Sequence, residues 1–540
     1  MDAVSKFPTK SKTLMSQTST IENLFPGFTA EQKRNLLFYT VGIVCYKLGL
    51  ESALGSIKTM MTERFNSNAS TSVNAFATIG LLEGLNTLCQ ALGAIAVAPL
   101  VFKFKTPQVL AVAISFFAAC CILFLVLEPA TGGRAIEYIM KNGKRVPDPS
   151  TYGSWNPYLL FPVCFMIFIA YGIIELIRRV IPRDIVGGDA AKLKKMDSTV
   201  HIWNEVAGTG GAFFSAFMIQ KLGHVYAMCA VPPLFIAAAF AWYKVTSPER
   251  KSKSQESPKR SPIQAMFHYI AVYFSSITTG ARIIFSSRRF LWLLPGYTVG
   301  LVYHRYLEGG ISPNFSKIVL GDSSFSQIMN GGSNFGEFLG ALCVFFLNTQ
   351  IKTPIPWVRW DAIALNLTWL LPGLASSLLV DGTMTPMAFA WLMAGVFCFI
   401  SMGWSAGDVS LSAYVQSQLK HNDDGDDEGE VSPLGAVMAF LYASNIAIYF
   451  CLNYGLGKYL DVYSNRVKAI KDDKSLAFTI GIEPFYIIAG VLFSVGCVVI
   501  IAGTFIPSGS FALNPEILGG DEDNVDDEES DEGTWVITSK

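Results

Sequence analysis

One stretch of this chain occurs twice. Residues 39–47 read YTVGIVCYK and residues 297–305 read YTVGLVYHR. Residues 92–107 read LGAIAVAPLVFKFKTP and residues 339–354 read LGALCVFFLNTQIKTP. In the second pair Leu92/Leu339, Gly93/Gly340, Ala94/Ala341, Val97/Val344, Leu100/Leu347, Lys105/Lys352, Thr106/Thr353 and Pro107/Pro354 coincide. Two matches in one order, with nearly equal offsets, mark a duplicated unit, so the chain is expected to fold as two homologous halves.

Composition says what surrounds those halves. Only 15% of the 540 residues are charged and 51% are hydrophobic, against roughly 25% charged in soluble domains. The partner is therefore a lipid bilayer. A net charge of −1 says nothing about nucleic acid, and with no basic stripe interleaved with aromatics no nucleic-acid partner is expected. The opening MDAVSKFPTKSK lacks an apolar h-region, so no cleaved signal peptide is expected. All ten cysteines sit in apolar segments without a CxxC, which argues for packing rather than disulfides or zinc. No nucleotide-binding fingerprint or nucleophile–base motif occurs, so neither an enzyme nor a cofactor is expected.

Windows of about 20 apolar residues, the length that crosses a bilayer core, fall at 35–57, 74–100, 107–127, 158–178, 199–219, 224–244, 290–308, 325–347, 360–380, 386–406, 433–455 and 485–506. These are spans 1 to 12. The polar stretch VTSPERKSKSQESPKRSP at 245–262 divides them six and six. The segment at 263–285 carries His268, Ser275, Ser276 and Arg282 and ends at Arg288-Arg289, which suits a helix lying in the interface. The predicted fold is an all-α membrane protein of twelve transmembrane helices in two pseudo-symmetric six-helix bundles. Its organisation reads as a tail (1–34), a first bundle (35–244), a linker with an interfacial helix (245–289), a second bundle (290–506) and an acidic tail (507–540).

Lys and Arg set orientation. Placing both termini in the cytosol gives the cytosolic loops Lys103, Lys105, Arg183, Lys192, Arg250, Lys251, Lys352 and Arg359, among others. The sequons at Asn68 and Asn314 then face outward, as glycosylation of a eukaryotic protein at the plasma or vacuolar membrane requires. Acidic runs at 423–430 and 521–532 face the cytosol and read as solvated, with Ser530 a phosphorylation candidate.

Small residues at four-residue spacing let helices approach closely. They occur as Ala207, Gly211 and Ser215 in span 5, Gly332, Gly336 and Gly340 in span 8, and Gly80 and Gly84 in span 2. The expectation is that spans 5 and 8 cross through these ridges where the halves meet.

With its duplicated six-helix unit, long central loop and matching 2–3 and 8–9 loops, the chain resembles the major facilitator superfamily of transporters. The likeness covers most of residues 35–506. Its 2–3 loop, Val101 to Pro107, is basic but lacks the superfamily's usual glycine, aspartate and arginine signature. A narrower likeness to ferroportin-type metal exporters rests on Arg183-Asp184, Gly187-Gly188-Asp189, Lys192-Leu193 and Met196-Asp197-Ser198-Thr199. That likeness implies divalent metal export as an alternative, with His304 in span 7 and Cys451 in span 11 as its test residues.

Charges inside spans cost roughly 2.5–3.5 kcal/mol each on insertion scales, so they mark a pathway or a paired site. Lys47 and Arg305 occupy equivalent positions of the repeat. In the superfamily's plan spans 1 and 7 line the central cavity, where two cations would attract an organic anion. Glu51, Gln90, Tyr297 and His304 complete the expected substrate contacts, with Glu51 and Glu308 as local partners that would otherwise absorb the two cations. Glu83, His201, Glu205 and Glu337 are candidates for carrying a coupling proton, His201 standing one turn before Glu205. Glu175, Arg178, Arg179, Arg183 and Asp184 form a candidate gate. The function expected is secondary active transport of a small solute by alternating access. Beside it stand metal export, named above, and a non-transporting sensor that signals through its acidic tail.

Overall fold

The computed structural model describes residues 27–518, apart from 69, 142–143, 187–189, 247–261, 348, 381, 421–432 and 471–472. Both acidic runs, Ser530 and most of the basic linker lie outside the described residues.

Thr29 starts the first helix, its hydroxyl accepting from the Gln32 amide in a capping box, and α1 then runs without a break over Ala30–Ser67. The rest of the first half is α2 (Ala75–Lys103), α3 (Thr106–Ala130), a short antiparallel hairpin β1 (Tyr138–Lys141) and β2 (Lys144–Pro147), α4 (Leu160–Val186), α5 (Ala190–Leu222) and α6 (Val231–Tyr243). Next comes α7 (Pro262–Ser286), which packs along the beginning of α12, where Gly280 meets the Ala436 carbonyl. The second half holds α8 (288–320), α9 (Phe325–Leu347), α10 (355–378), α11 (Pro386–Lys420), α12 (Pro433–Ala469) and α13 (474–503).

Eight helices among the described residues are long and apolar enough to cross a membrane: α1 to α4, the α6 rod, α11, α12 and α13. The twelve predicted spans exceed that number for a physical reason. Helices α5 and α9 carry polar residues that turn inward, and α8 and α10 are broken by π and 3₁₀ turns. Span 7 is also longer than predicted. Helix α8 continues past residue 308 through two further π segments and ends at Gly321, whose φ of 90° only glycine adopts easily. Its second part escaped the hydropathy window because Ser312, Asn314, Ser316 and Lys317 face protein rather than lipid. Asn314 is buried within α8, so its sequon cannot carry a glycan.

The duplication explains the packing. Gly93 of α2 lies against the Ile169 carbonyl of α4, and its counterpart Gly340 of α9 lies against the Met402 carbonyl of α11. Gly42 leaves room for the Trp242 indole, as its counterpart Gly300 does for Trp404. Pro107 and Pro354 sit at the starts of α3 and α10, where a missing N–H costs nothing.

The small-residue ridges serve other seams than expected. Gly332, Gly336 and Gly340 press on the α11 carbonyls of Ala394, Cys398 and Met402, inside the second half. Gly211 and Ser215 of α5 face α1. Part of the seam between halves is made by α2 on α12, where Gly80 meets the Asn453 carbonyl and Gly84 meets Phe450. Helices α5 and α9 do cross there, but through Phe213 against Gly331 and the Asn334 amide on the Gly208 carbonyl.

Candidate functional site

Two faces of the molecule differ. Helix α1 starts on the terminus-bearing face and ends on the opposite one. At that opposite face the halves are tied together. Lys317 of α8 bonds Glu63 of α1 at 2.5 Å, and the Ser323 hydroxyl donates to the same carboxylate at 2.7 Å. Asp461 of α12 accepts from the amides of Phe76 and Ala77, capping the first turn of α2 at 3.0 and 2.9 Å. Asn465 and Lys468 add bonds to the carbonyls of Val73 and Ser72. Beneath, Arg64 is held by Glu128 and the Gly153 carbonyl, and Glu128 also takes the Trp155 indole N–H and the Gly153 amide. Arg134 and Arg145 belong to the loop that carries the β hairpin over this end, and Tyr138 of the hairpin bonds the Gln220 carbonyl.

Two groups in the connecting turns of that face have shifted titration. Burial, with Glu63 next, pushes the Asp322 carboxyl up to about 6. Burial, then Arg64 and Lys317, holds His224 well below the usual histidine range, and neither ring nitrogen has a hydrogen-bond partner.

Inside this seal, at the seam of the halves, lies a cavity of about 380 Å³. Seven predicted residues line it: Lys47, Glu51, Gln90, His304 and Arg305 from the substrate set, and Glu83 and Glu337 from the proton set. Lys47 and Arg305, the repeat-related cations, reach it from both halves. Arg305 therefore does not run out to the interface. It stands under the Tyr442 ring at 5.7 Å rather than pairing with Glu308, whose carboxylate takes the Ser333 hydroxyl instead. Lys47 pairs with Glu51 at 2.7 Å. His304 bonds Asp361 of α10 at 2.7 Å and stacks on Trp404.

The remaining predicted residues stand elsewhere. Tyr297 backs Trp404 from behind the lining. His201 is 45% exposed and 3.7 Å from Glu205, beyond hydrogen-bond reach, and Glu205 is held by Asn204. Neither lines the cavity. Glu175 accepts from Tyr46 at 2.8 Å and pairs with Arg178 at 2.7 Å, a tie within the first half. Asp184 takes the Thr106 hydroxyl at 3.4 Å, Arg183 is exposed, and the Arg179 side chain lies outside the described residues. Of the metal-export residues, His304 is buried and Cys451 exposed on the outside of α12. Among the described residues no group of three His, Cys, Asp or Glu side chains is placed to hold a metal ion.

Several lining residues were not predicted: Lys58, Glu308, Tyr171, Trp404, Tyr449 and the amides of Gln327, Asn330 and Asn334. Lys58 was within reach, since 47, 51 and 58 recur at helical spacing on one face of α1. It lay one residue past the predicted end of span 1.

No family model matches the sequence, and no curated protein matches it significantly. Solved structures do. The nucleoside transporter NupG matches with a TM-score of 0.51 at 12% identity, over 87% of this chain and 99% of that one. A D-xylose–proton symporter matches with 0.55 at 13% identity, over 89% and 98%. A structure from work on proton-dependent oligopeptide transporters matches with 0.57 at 12% identity, over 87% and 98%. At such identity the likeness shows the fold, which is of the major facilitator type: helices in two pseudo-symmetric bundles, embedded in a membrane.

Proposed function

We propose that this protein is a secondary transporter that moves a small polar solute by alternating access, with protons as the coupling ion. The observation that carries the reading is a charged cavity at the seam of two related halves, closed on one face by bonds that join those halves. Such an arrangement opens to the other face only if the bonds of the seal break and the halves rock. The named neighbours include a proton symporter and proton-dependent transporters, which supports the coupling ion. The Lys and Arg bias of the loops supports placing the terminus-bearing face in the cytosol.

The cavity does not favour the organic anion expected from Lys47 and Arg305 alone. Lys47 is already paired with Glu51, and four carboxylates (Glu51, Glu83, Glu308 and Glu337) share the lining. Glu337 is the better proton carrier. It faces the cavity with Glu308, Glu205, Lys47 and Glu51 as electrostatic neighbours, whereas the His201–Glu205 pair lies outside it.

A disulfide engineered between positions 73 and 465 tests alternating access in proteoliposomes. Oxidation should stop solute flux and reduction should restore it. Flux that persists through the locked form would sink the reading. Glu337→Gln should abolish accumulation driven by an imposed pH gradient, and unchanged accumulation would remove Glu337 from coupling.

A further inference from the structure

We infer that the solute is a zwitterion, its carboxylate bound by Arg305 and its ammonium by Glu83, so that one molecule joins the two halves. The inference rests on the transport reading and deepens it.

The lining charges divide into two kinds. Lys47 and Glu51 satisfy each other, and Glu308 takes the Ser333 hydroxyl. Lys58, Glu83, Arg305, Glu308 and Glu337 have no such pairing: among the described residues no opposite charge lies within ion-pair distance of any of them. Each half contributes one unpaired cation and at least one unpaired carboxylate, Lys58 and Glu83 from α1 and α2, Arg305 with Glu308 and Glu337 from α8 and α9. Charge held inside a membrane protein without a partner is costly. A solute bringing one charge of each sign removes two of those costs at once, and a singly charged or neutral solute cannot.

Geometry selects the pair. Tyr449 of α12 lines the cavity with Glu83 and Arg305, and both charges act on its phenol electrostatically. They come from opposite halves, which a coupled transporter needs. A ligand gripped by one half alone gains nothing when the halves close, whereas one gripped by both stabilises the closed state. The remaining charges have other work: Lys58 acts on Glu83 electrostatically, Glu308 holds the Ser333 hydroxyl, and Glu337 is left to carry a proton. The cavity's 380 Å³ lies at the small end of ligand pockets, roughly 300–1,000 Å³, which suits free amino acids and dipeptides.

The test is a panel offered to the purified full chain, read by thermal stabilisation and by uptake into proteoliposomes. It contains free α-amino acids and dipeptides, their N-acetylated forms (carboxylate only), their amides (ammonium only), D-xylose and a nucleoside. Free amino acids or dipeptides should bind, and both blocked forms should lose about tenfold to hundredfold in affinity, the span expected for one charge-assisted bond. Glu83→Gln should weaken the free solute by that factor while leaving its N-acetylated form no worse than before, and Arg305→Gln should do the same with the amide. This pattern is one that misfolding does not produce. Blocked forms binding as well as the parent, or D-xylose or the nucleoside binding in its place, would overturn the zwitterion and leave transport standing. No binding by any member, with flux indifferent to the 73–465 disulfide, would overturn both.

Discussion

The seal on the opposite face and the cavity beside it are built by the same helices, and they treat charge in contrary ways. On α1, Glu63 and Arg64 are almost wholly enclosed and ion-paired, Glu63 with Lys317 beside the Ser323 hydroxyl and Arg64 with Glu128 beside the Gly153 carbonyl. A short way back along that helix Lys58 lines the cavity with no carboxylate among the described residues in ion-pair reach. On α8, Lys317 is ion-paired while Arg305 stands against Tyr442 with no carboxylate among the described residues in ion-pair reach. A buried ion pair adds little net stability but is expensive to break. Paired charges therefore report on structure, and unpaired ones in the same membrane report on what the protein meets.

The largest effect that would break this contrast is at the seal. Glu128→Ala leaves Arg64 buried without its partner and frees the Trp155 N–H. A loss of about 3–5 kcal/mol is expected, read as a fall in melting temperature in detergent. A loss below about 1 kcal/mol would mean that pairing does not distinguish the two regions. Next in size are the glycines. Gly336→Ala drives a methyl group into the Cys398 carbonyl inside one half and should cost about 1–3 kcal/mol. Gly80→Ala drives one into the Asn453 carbonyl across the seam. It should leave each half intact and loosen the seal, seen as faster thiol labelling of a cysteine placed at Ser72.

Much of this was legible beforehand. The repeat announced two halves, and its matched glycines, Gly93 and Gly340, do the same job twice, while Lys47 and Arg305 both line the cavity but only Lys47 is paired. What was not legible has a common cause. A hydropathy window stops where polar residues begin, yet in a transporter-like fold those polar residues continue the helix on its inner face. Lys58, Glu63, Lys317 and Asp322 were lost at such ends. Spacing showed that α9 has a narrow glycine face but not which neighbour it meets, because that depends on how six helices are arranged around it. Asp361, the partner of His304, sits on α10, a helix with no counterpart match in the repeat to draw attention to it.

The titrating turns sharpen the comparison at intermediate size, and they oppose each other. Asp322, raised to about 6 in the folded chain, binds a proton more readily there than in the unfolded chain. It therefore adds stability as pH falls from about 6 towards 4. Asp322→Asn should stabilise the protein at pH 8, by about 3 kcal/mol at most, with the gain gone near pH 4. His224 is depressed by burial, then Arg64 and Lys317, so the unfolded chain takes its proton first and stability drains away as pH falls below about 6.5. Melting curves of His224→Phe should lose that acid-side decline. Curves that keep it would place the acid sensitivity elsewhere.

The smallest effect on stability is expected where the effect on function is greatest. Arg305→Gln removes a cation that no carboxylate among the described residues pairs with, so the melting temperature should hold or rise slightly, within about 1 kcal/mol. Solute flux should fall by at least tenfold, because the charge that the membrane interior tolerated at a cost is then absent when the solute arrives. A variant that melts several kcal/mol early would show Arg305 to be a structural residue like Arg64. The distinction between the sealed end and the cavity would then disappear, since unpaired charge in this fold would no longer point to a ligand.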